Sequence, residues 1–119
     1  METKEIANAL CDEFGLSTED AESYLEDVEV NTVGHGFVLV KGHEIDKLYI
    51  EPDWRGRGIG QQLMQEAIQR GGNRLQCVAR LRSYYEQIGF TLASTMKEGT
   101  YCCMCLEDAL LDLPASLRV

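Results

Sequence analysis

Long apolar runs are missing from this sequence of 119 residues. No stretch approaches the ~20 consecutive apolar residues that a helix needs to cross a bilayer. The first residues also lack the apolar segment of a secretory signal. These absences argue against a membrane protein, and they predict that the protein works in the cytoplasm.

Paired cysteines are missing as well. The sequence contains an odd number of cysteines, namely Cys11, Cys77, Cys102, Cys103 and Cys105. They do not have the paired spacing of a zinc site, and neither His35 nor His43 has a second ligand at metal-binding spacing. A chain of this length can bury roughly two thirds of its unfolded surface without disulfides. We therefore expect reduced thiols and no metal ion.

Basic residues are scarce, since 11 lysines and arginines stand against 20 acidic residues, for a net charge of −9. This balance argues against a nucleic-acid-binding protein, which needs a basic face for phosphates. Residues 1–54 carry a formal charge of −11, residues 55–82 carry +5, and residues 83–119 carry −3. The basic segment predicts an anionic ligand. The acidic segment either attracts a cationic partner or is simply a solvated surface.

The pattern along the chain predicts one α/β domain covering residues 1–119. Apolar residues at helical spacing predict a helix from Ile6 to Phe14, capped by Gly15, and a second helix beginning at Ser17 or Thr18. The predicted strands are Val28–Val33, Phe37–Lys41, Glu44–Ile50, Leu75–Ala79, Phe90–Met96 and Tyr101–Leu106. Further helices are predicted from Ile59 to Gly71 and from Arg82 to Gln87, and the leucine-rich tail after Glu107 predicts one or two amphipathic turns.

Three glycines separate a predicted strand from a predicted helix. Gly56, Gly58 and Gly60 lie where backbone amides project from a helix N-terminus, and Arg55 and Arg57 add positive charge. Such a segment binds anions, although a simple structural turn explains alternating glycines as well. The sequence lacks the lysine and hydroxyl residue of an ATPase phosphate loop, and the glycine spacing differs from the Rossmann fingerprint. The segment therefore fits neither common nucleotide motif.

Two segments together resemble the GNAT acyltransferase superfamily. Residues 48–60, with the sequence LYIEPDWRGRGIG, look like its motif A, whose core falls on Arg55, Gly58 and Gly60. Residues 84–90, with the sequence YYEQIGF, are similar to its motif B. The resemblance covers about residues 36–106.

The resemblance implies an α/β (α+β) fold with a mixed, mostly antiparallel sheet and flanking helices. There is no room for the family's first strand before the predicted helix pair, so we expect that the sheet lacks this strand or that the tail or a second subunit of a homodimer completes it. It further implies that acetyl-CoA is the cosubstrate, that its pantetheine arm lies between two strands that splay apart, and that a primary amine is the acceptor. The implied CoA-binding residues are Leu48, Tyr49, Ile50, Arg55, Gly56, Arg57, Gly58, Ile59, Gly60 and Gln61.

Acyl transfer to an amine needs a base for the amine and a proton for the departing thiolate. Strand alternation predicts that Glu44 and Asp46 point to the same side as Ile50. In several GNAT members the general base occupies the position of Glu44 or Asp46, and we favour Glu44; ordered water is the alternative. Tyr85 matches the motif B tyrosine that serves as general acid, whereas Tyr84 matches a packing position.

The remaining thiols and the acidic surface leave alternatives open. Cys102, Cys103 and Cys105 lie in an apolar run typical of a buried strand, and Cys77 is a weaker candidate for an acyl-cysteine intermediate. The acidic first half predicts that the acceptor is cationic in its resting state. A non-catalytic CoA-binding module and a purely structural or inhibitory acidic protein are the competing functions.

Overall fold

The computed structural model describes residues 1–106, which begin with a pair of helices. α1 (Thr3–Phe14) ends at Gly15, whose left-handed conformation caps the helix. α2 (Thr18–Glu26) begins after Ser17, whose Oγ accepts a hydrogen bond from the Asp20 amide at 3.1 Å. Both helices and both caps confirm the sequence prediction, whereas the predicted turns after Glu107 lie outside the described residues.

Six strands form one mixed sheet in the order β1-β2-β3-β4-β6-β5. They are β1 (Glu29–Val33), β2 (Gly36–Lys41), β3 (Glu44–Ile50), β4 (Arg74–Val78), β5 (Phe90–Met96) and β6 (Tyr101–Leu106). All neighbouring pairs are antiparallel except β3 and β4, which are parallel. The sheet therefore confirms the predicted mixed, mostly antiparallel architecture, and each observed strand lies within one residue of its predicted ends.

Helices cover the sheet from both sides. α3 (Ile59–Gln69) buries Leu63, Met64 and Ala67 completely against one face, where α4 (Arg82–Ile88) also packs. α1 and α2 cover the other face and form a second core around Phe37 and Leu39 of β2. β2 is buried almost throughout because it lies between the two helical layers, which explains its unbroken apolar sequence.

A β-bulge in β3 changes which side chains face which helices. Leu39 pairs with Lys47 and the next residue of β2, Val40, pairs with Ile45, so Asp46 is an extra residue. Ile45 and Ile50 consequently both pack into the α3 core, although alternation over five residues would place them on opposite faces. Glu44 therefore points away from Ile50, and the prediction that Glu44, Asp46 and Ile50 share one side of the strand is wrong.

The two parallel strands stay together only at their first residues. β3 pairs with β4 at Glu44 with Arg74 and at Ile45 with Leu75, and no later residue of β3 pairs with β4. The sequence resemblance implied that these strands splay apart, and the register confirms it. A cleft consequently opens between their carboxyl ends.

Candidate functional site

A cavity of about 550 Å³ occupies this cleft. Its walls are the end of β3, the segment leading into α3, the turn after β4 and the first residues of α4. The lining includes Leu48, Tyr49, Ile50, Arg55, Gly56, Gly58, Ile59, Gly60 and Gln61, together with Tyr85. Nearly all residues that the sequence assigned to CoA binding thus surround one space, and Arg57 is the member of that set outside the lining.

The start of α3 is built to receive an anion. Gly58 is the N-cap residue at φ 84°, a conformation that side chains strain to adopt, and no side chain of residues 1–106 caps the helix. The first-turn amides of Ile59, Gly60 and Gln61 therefore have no partner inside the helix. Added β-carbons at Gly56 and Gly58 would meet no atom within 4 Å, so the space in front of this backbone is open. A phosphate group fits these unpaired donors and the positive helix end.

The two arginines of the glycine segment both contact neighbouring groups of the protein. Arg55 donates a hydrogen bond from Nε to the Ile50 carbonyl at 2.9 Å, and its guanidinium lies 5.9 Å from the Tyr49 ring centre. The Arg57 guanidinium lies over the Trp54 ring at 4.6 Å. Arg80, after β4, supplies a third positive charge at the cavity wall. Together they make the opening of the cavity electropositive.

Two tyrosines of α4 face the cavity. Burial raises the pKa of Tyr85 to about 12, with Tyr84 and Cys77 adding to the shift, so the phenol keeps its proton at neutral pH. The Tyr85 ring packs edge-on against Tyr84 at 5.0 Å and against Phe90 at 6.3 Å. The Tyr84 hydroxyl lies against Gly60, where an added β-carbon would come within 2.6 Å of it. Tyr84, which the sequence placed among packing residues, therefore belongs to the cavity.

The two carboxylates proposed from the sequence lie elsewhere. Asp46 accepts a hydrogen bond from the Tyr24 hydroxyl of α2 and lies 3.7 Å from the Lys47 ammonium. Glu44 lines a separate cavity of about 220 Å³ with Arg74, Gln76 and Cys103 on the face opposite α3. The structure thus does not bring Glu44, Asp46 and Tyr85 into one cavity.

Sequence reasoning missed four lining residues, Trp54, Arg80, Leu81 and Tyr84. Trp54 and Tyr84 lie inside the two quoted motif segments, and their aromatic character at a glycine-rich loop was the available signal. Arg80 and Leu81 belong to a short 3₁₀ turn, Ala79–Leu81, that the fold carries next to the glycine segment. Their position depends on how β4 ends, which no local pattern indicates.

The cysteines behave as packing residues. All five are free thiols, and Cys77, Cys102 and Cys105 are buried. Burial raises the pKa of Cys77 to about 11, so its thiol is protonated at neutral pH and is a poor nucleophile. Residues 1–106 contain no cluster of three or more potential metal ligands. None of the helices in the same part of the chain is long and apolar enough to span a bilayer.

Comparison with known proteins places this geometry in a family. Residues 19–92 match the acetyltransferase (GNAT) domain. A segment of 33 residues is 48% identical to peptidyl-lysine N-acetyltransferase YjaB of Salmonella typhimurium, and it covers 28% of this chain and 23% of that relative. The match therefore spans less than a quarter of the curated relative.

Two solved structures share the fold. The apo form of YjaB from Escherichia coli has a TM-score of 0.57 and 21% identity over 89% of this chain and 91% of its own. The ribosomal-protein-S18-alanine N-acetyltransferase from Escherichia coli has a TM-score of 0.61 and 21% identity over 89% of each chain. The matched residues 19–92 contain the glycine segment, the splayed strands and all of α4. The chain therefore belongs to the GNAT acetyltransferase family.

Proposed function

We propose that this enzyme transfers an acetyl group from acetyl-CoA directly to a primary amine, with the CoA pyrophosphate bound by the Arg55–Gln61 segment. The observation that carries the proposal is the uncapped start of α3, which opens into the 550 Å³ cavity. Unpaired backbone amides and nearby arginines can bind phosphate oxygens directly, through hydrogen bonds and opposite charge. Family membership supports acetyl-CoA as the donor.

The chain's own residues divide the work of binding. Backbone amides at the start of α3 would hold the pyrophosphate, with Arg55 and Arg80 completing the positive surface. Leu48 and Ile50 of β3 offer an apolar wall to the pantetheine arm, and the edge of β3 that faces β4, unpaired with β4 after Ile45, offers backbone groups to the acyl carbonyl. Bound acetyl-CoA supplies a thioester, whose carbonyl carbon is open to attack by an amine and whose thiolate leaves.

Tyr85 is the proposed proton donor to the departing thiolate. Its phenol lines the cavity, and its raised pKa of about 12 keeps it protonated through the pH range in which an amine is a nucleophile. The thiolate accepts that proton and leaves as a thiol, and the Tyr85 phenolate regains a proton from solvent before the next turnover. Tyr84 lies beside it, but its hydroxyl packs against Gly60, which favours a role in shaping the cavity.

Glu44 is the proposed base, with ordered water as its relay. Asp46 is less suited because the Tyr24 hydroxyl already donates to its carboxylate and Lys47 lies nearby. Both carboxylates lie on the α1 and α2 side of the sheet, so either would act from the side opposite the α3 core. Glu44 lies at the closed end of β3 and β4, beside Arg74, so ordered water would have to connect its carboxylate to an amine in the cleft.

A cationic acceptor is supported by the acidic residues around the cleft. Burial raises the pKa of Tyr49, and Glu13, Glu51 and Asp12 add to the shift while Arg55 opposes it. These carboxylates at the end of α1 and of β3 would attract an ammonium group. The relatives named above act on peptidyl-lysine and on the alanine terminus of a ribosomal protein. We propose a lysine side chain or a peptide N-terminus as the acceptor class.

Two measurements test the proposal in sequence. Calorimetry with CoA asks whether the protein binds the cosubstrate, and thiol release from acetyl-CoA with lysine-containing and N-terminal peptides asks whether it transfers the acetyl group. Mass spectrometry of the peptides locates the acetylated nitrogen. CoA binding without thiol release across the peptides would leave a binding module as the better account, and absent CoA binding would contradict the proposal altogether.

A further inference from the structure

His35 joins the turn between β1 and β2 to the segment that leads into the glycine loop. Its ring stacks on the Trp54 indole with the ring centres 3.7 Å apart and the planes within 5° of parallel. Its Nδ1 lies 2.9 Å from the Glu51 Oε2. Its backbone carbonyl accepts a hydrogen bond from the Glu51 amide at 2.9 Å. One residue thus contacts both ends of the short segment Glu51–Trp54.

Trp54 carries this contact to the cavity. Its indole lines the 550 Å³ cavity, and the Arg57 guanidinium lies 4.6 Å above the same ring. Trp54 ends the 3₁₀ turn Pro52–Trp54, directly before Arg55 and Gly56. The indole is therefore held by His35 while it supports Arg57, and its position fixes where the glycine segment begins.

The glycine segment needs such support because its own backbone is soft. Gly56 and Gly58 both adopt positive φ angles, and glycine loses more conformational freedom on ordering than any other residue. If the segment has to be ordered when CoA binds, the free energy needed to order it is subtracted from the free energy of binding, and the affinity for CoA falls accordingly. The stack of His35 on Trp54, directly before the glycine segment, would reduce this loss of affinity.

We propose that His35 is a positioning residue for CoA binding, which orders the glycine segment through its stack on Trp54; this inference rests on the proposed CoA site. We expect His35 to affect the binding of CoA and not the chemical step, because it lies outside the cavity lining and the acyl end of the cleft. The expected signature is a weaker affinity for CoA and a raised KM for acetyl-CoA with kcat unchanged. A residue that merely stabilised the fold would not separate KM from kcat in this way.

The experiment compares three substitutions at one position. His35→Ala removes the stack and the Glu51 contact, His35→Phe keeps an aromatic ring for Trp54, and His35→Gln keeps a polar partner for Glu51. From the strength of aromatic pairs, we expect His35→Ala and His35→Gln to weaken CoA binding about two- to tenfold. His35→Phe should restore an affinity close to that of the wild type. Calorimetry gives the affinity, and thermal unfolding shows that each variant is folded.

His43→Ala is the matched control, because the other histidine of the chain also joins a turn to a neighbouring segment. Its Nδ1 lies 2.8 Å from the Gly71 carbonyl, at the far end of α3 from the glycine segment. This variant should keep wild-type CoA affinity. If His35→Ala lowers the unfolding temperature strongly, the comparison of His35→Phe with His35→Gln still separates the stack from the polar contact.

Each result has a defined meaning. Wild-type protein that does not bind CoA overturns the proposed function and the inference with it. Wild-type binding with unchanged affinity in folded His35→Ala overturns the inference alone. Rescue by His35→Gln but not by His35→Phe also overturns it, since the stack would then not be the contact that orders the segment.

Discussion

The Tyr24 hydroxyl of α2 donates a hydrogen bond to the Asp46 carboxylate at the bulge of β3. Burial raises the pKa of Tyr24, and the neighbouring Asp46 carboxylate adds to the shift, so the phenol stays protonated and the bond stays in place. Lys47 also contacts this pair, since its ammonium lies 5.3 Å from the Tyr24 ring centre. Asp46 thus fastens α2 to the sheet, whereas Glu44 has no hydrogen-bond or ion-pair partner among residues 1–106.

The first prediction separates these two carboxylates. Glu44→Gln should lower kcat about tenfold or more across the pH range, because a general base contributes at least that much. Asp46→Asn should keep the wild-type kcat and instead lower the unfolding temperature, because it weakens the contact with Tyr24. Initial rates from pH 6 to 10, roughly the range over which an amine acceptor loses its proton, provide the test. Wild-type rates in both variants would favour deprotonation through water alone.

The second prediction concerns the anion site. Gly58→Asp should abolish CoA binding, because its carboxylate would repel the pyrophosphate where unpaired amides should receive it. Gly99→Asp is the matched control, since Gly99 has a similar φ of 87° and equally open surroundings in the β5–β6 turn, away from the cavity. Calorimetry with CoA on both folded variants decides the matter. Equal affinity in the two would mean that the glycine segment is only a turn.

The third prediction concerns Tyr85. Tyr85→Phe should lower kcat with little change in the KM for acetyl-CoA, because it removes the proton donor and keeps the edge-on ring contacts. Since the pKa is raised to about 12, the donor form is present below that pH, and Tyr85 should cause no loss of rate up to about pH 10. Tyr101→Phe in β6 serves as the control. An unaltered kcat would assign the Tyr85 hydroxyl to structure.

The fourth prediction tests whether the reaction passes through an acyl intermediate on Cys77. Cys77→Ala should keep kcat within about twofold, while losing about 1 kcal/mol of unfolding free energy through the small cavity that it leaves. The native thiol, with its pKa raised to about 11 by burial, should react slowly with iodoacetamide at pH 7, and the partly exposed Cys11 and Cys103 should react first. An acetylated Cys77 in quenched reactions, detected by peptide mass spectrometry, would contradict direct transfer.

The fifth prediction concerns the acceptor. If the carboxylates around Tyr49 attract an ammonium group, the KM for a lysine peptide should rise as salt shortens the Debye length to about 10 Å at 0.1 M. Acetyl-CoA would be held by positively charged groups instead, and its KM should be measured over the same range of salt concentration. A preference for neutral or anionic amines would refute the cationic acceptor.

Local patterns were enough to predict the elements that carry the site. The strand Glu44–Ile50, the following glycines and the helix after them were all predicted, because turn glycines and a change from strand to helical spacing mark each boundary. The predicted CoA-binding residues lie together for the same reason. They all lie within residues 48–61, so predicting the elements of that segment also predicts its shape.

Features that depend on pairing between distant segments could not be predicted this way. At the bulge, β3 has one residue more than β2, so Asp46 has no partner in β2. Nothing in the sequence of β3 alone indicates this extra residue. Simple alternation therefore assigned Glu44 to the wrong side. The contact of His35 with Trp54 depends likewise on a turn between two other strands meeting the loop.

The uncapped start of α3 has a consequence for how the enzyme releases its product. Its unpaired amides would contact a pyrophosphate, a group that acetyl-CoA and free CoA have in common. If the segment binds CoA as proposed, this part of the site would hold both with equal strength, and uniform binding of this kind would not favour the departure of free CoA. Free CoA is therefore expected to act as a competitive product inhibitor, and turnover should depend on the ratio of acetyl-CoA to CoA rather than on acetyl-CoA alone.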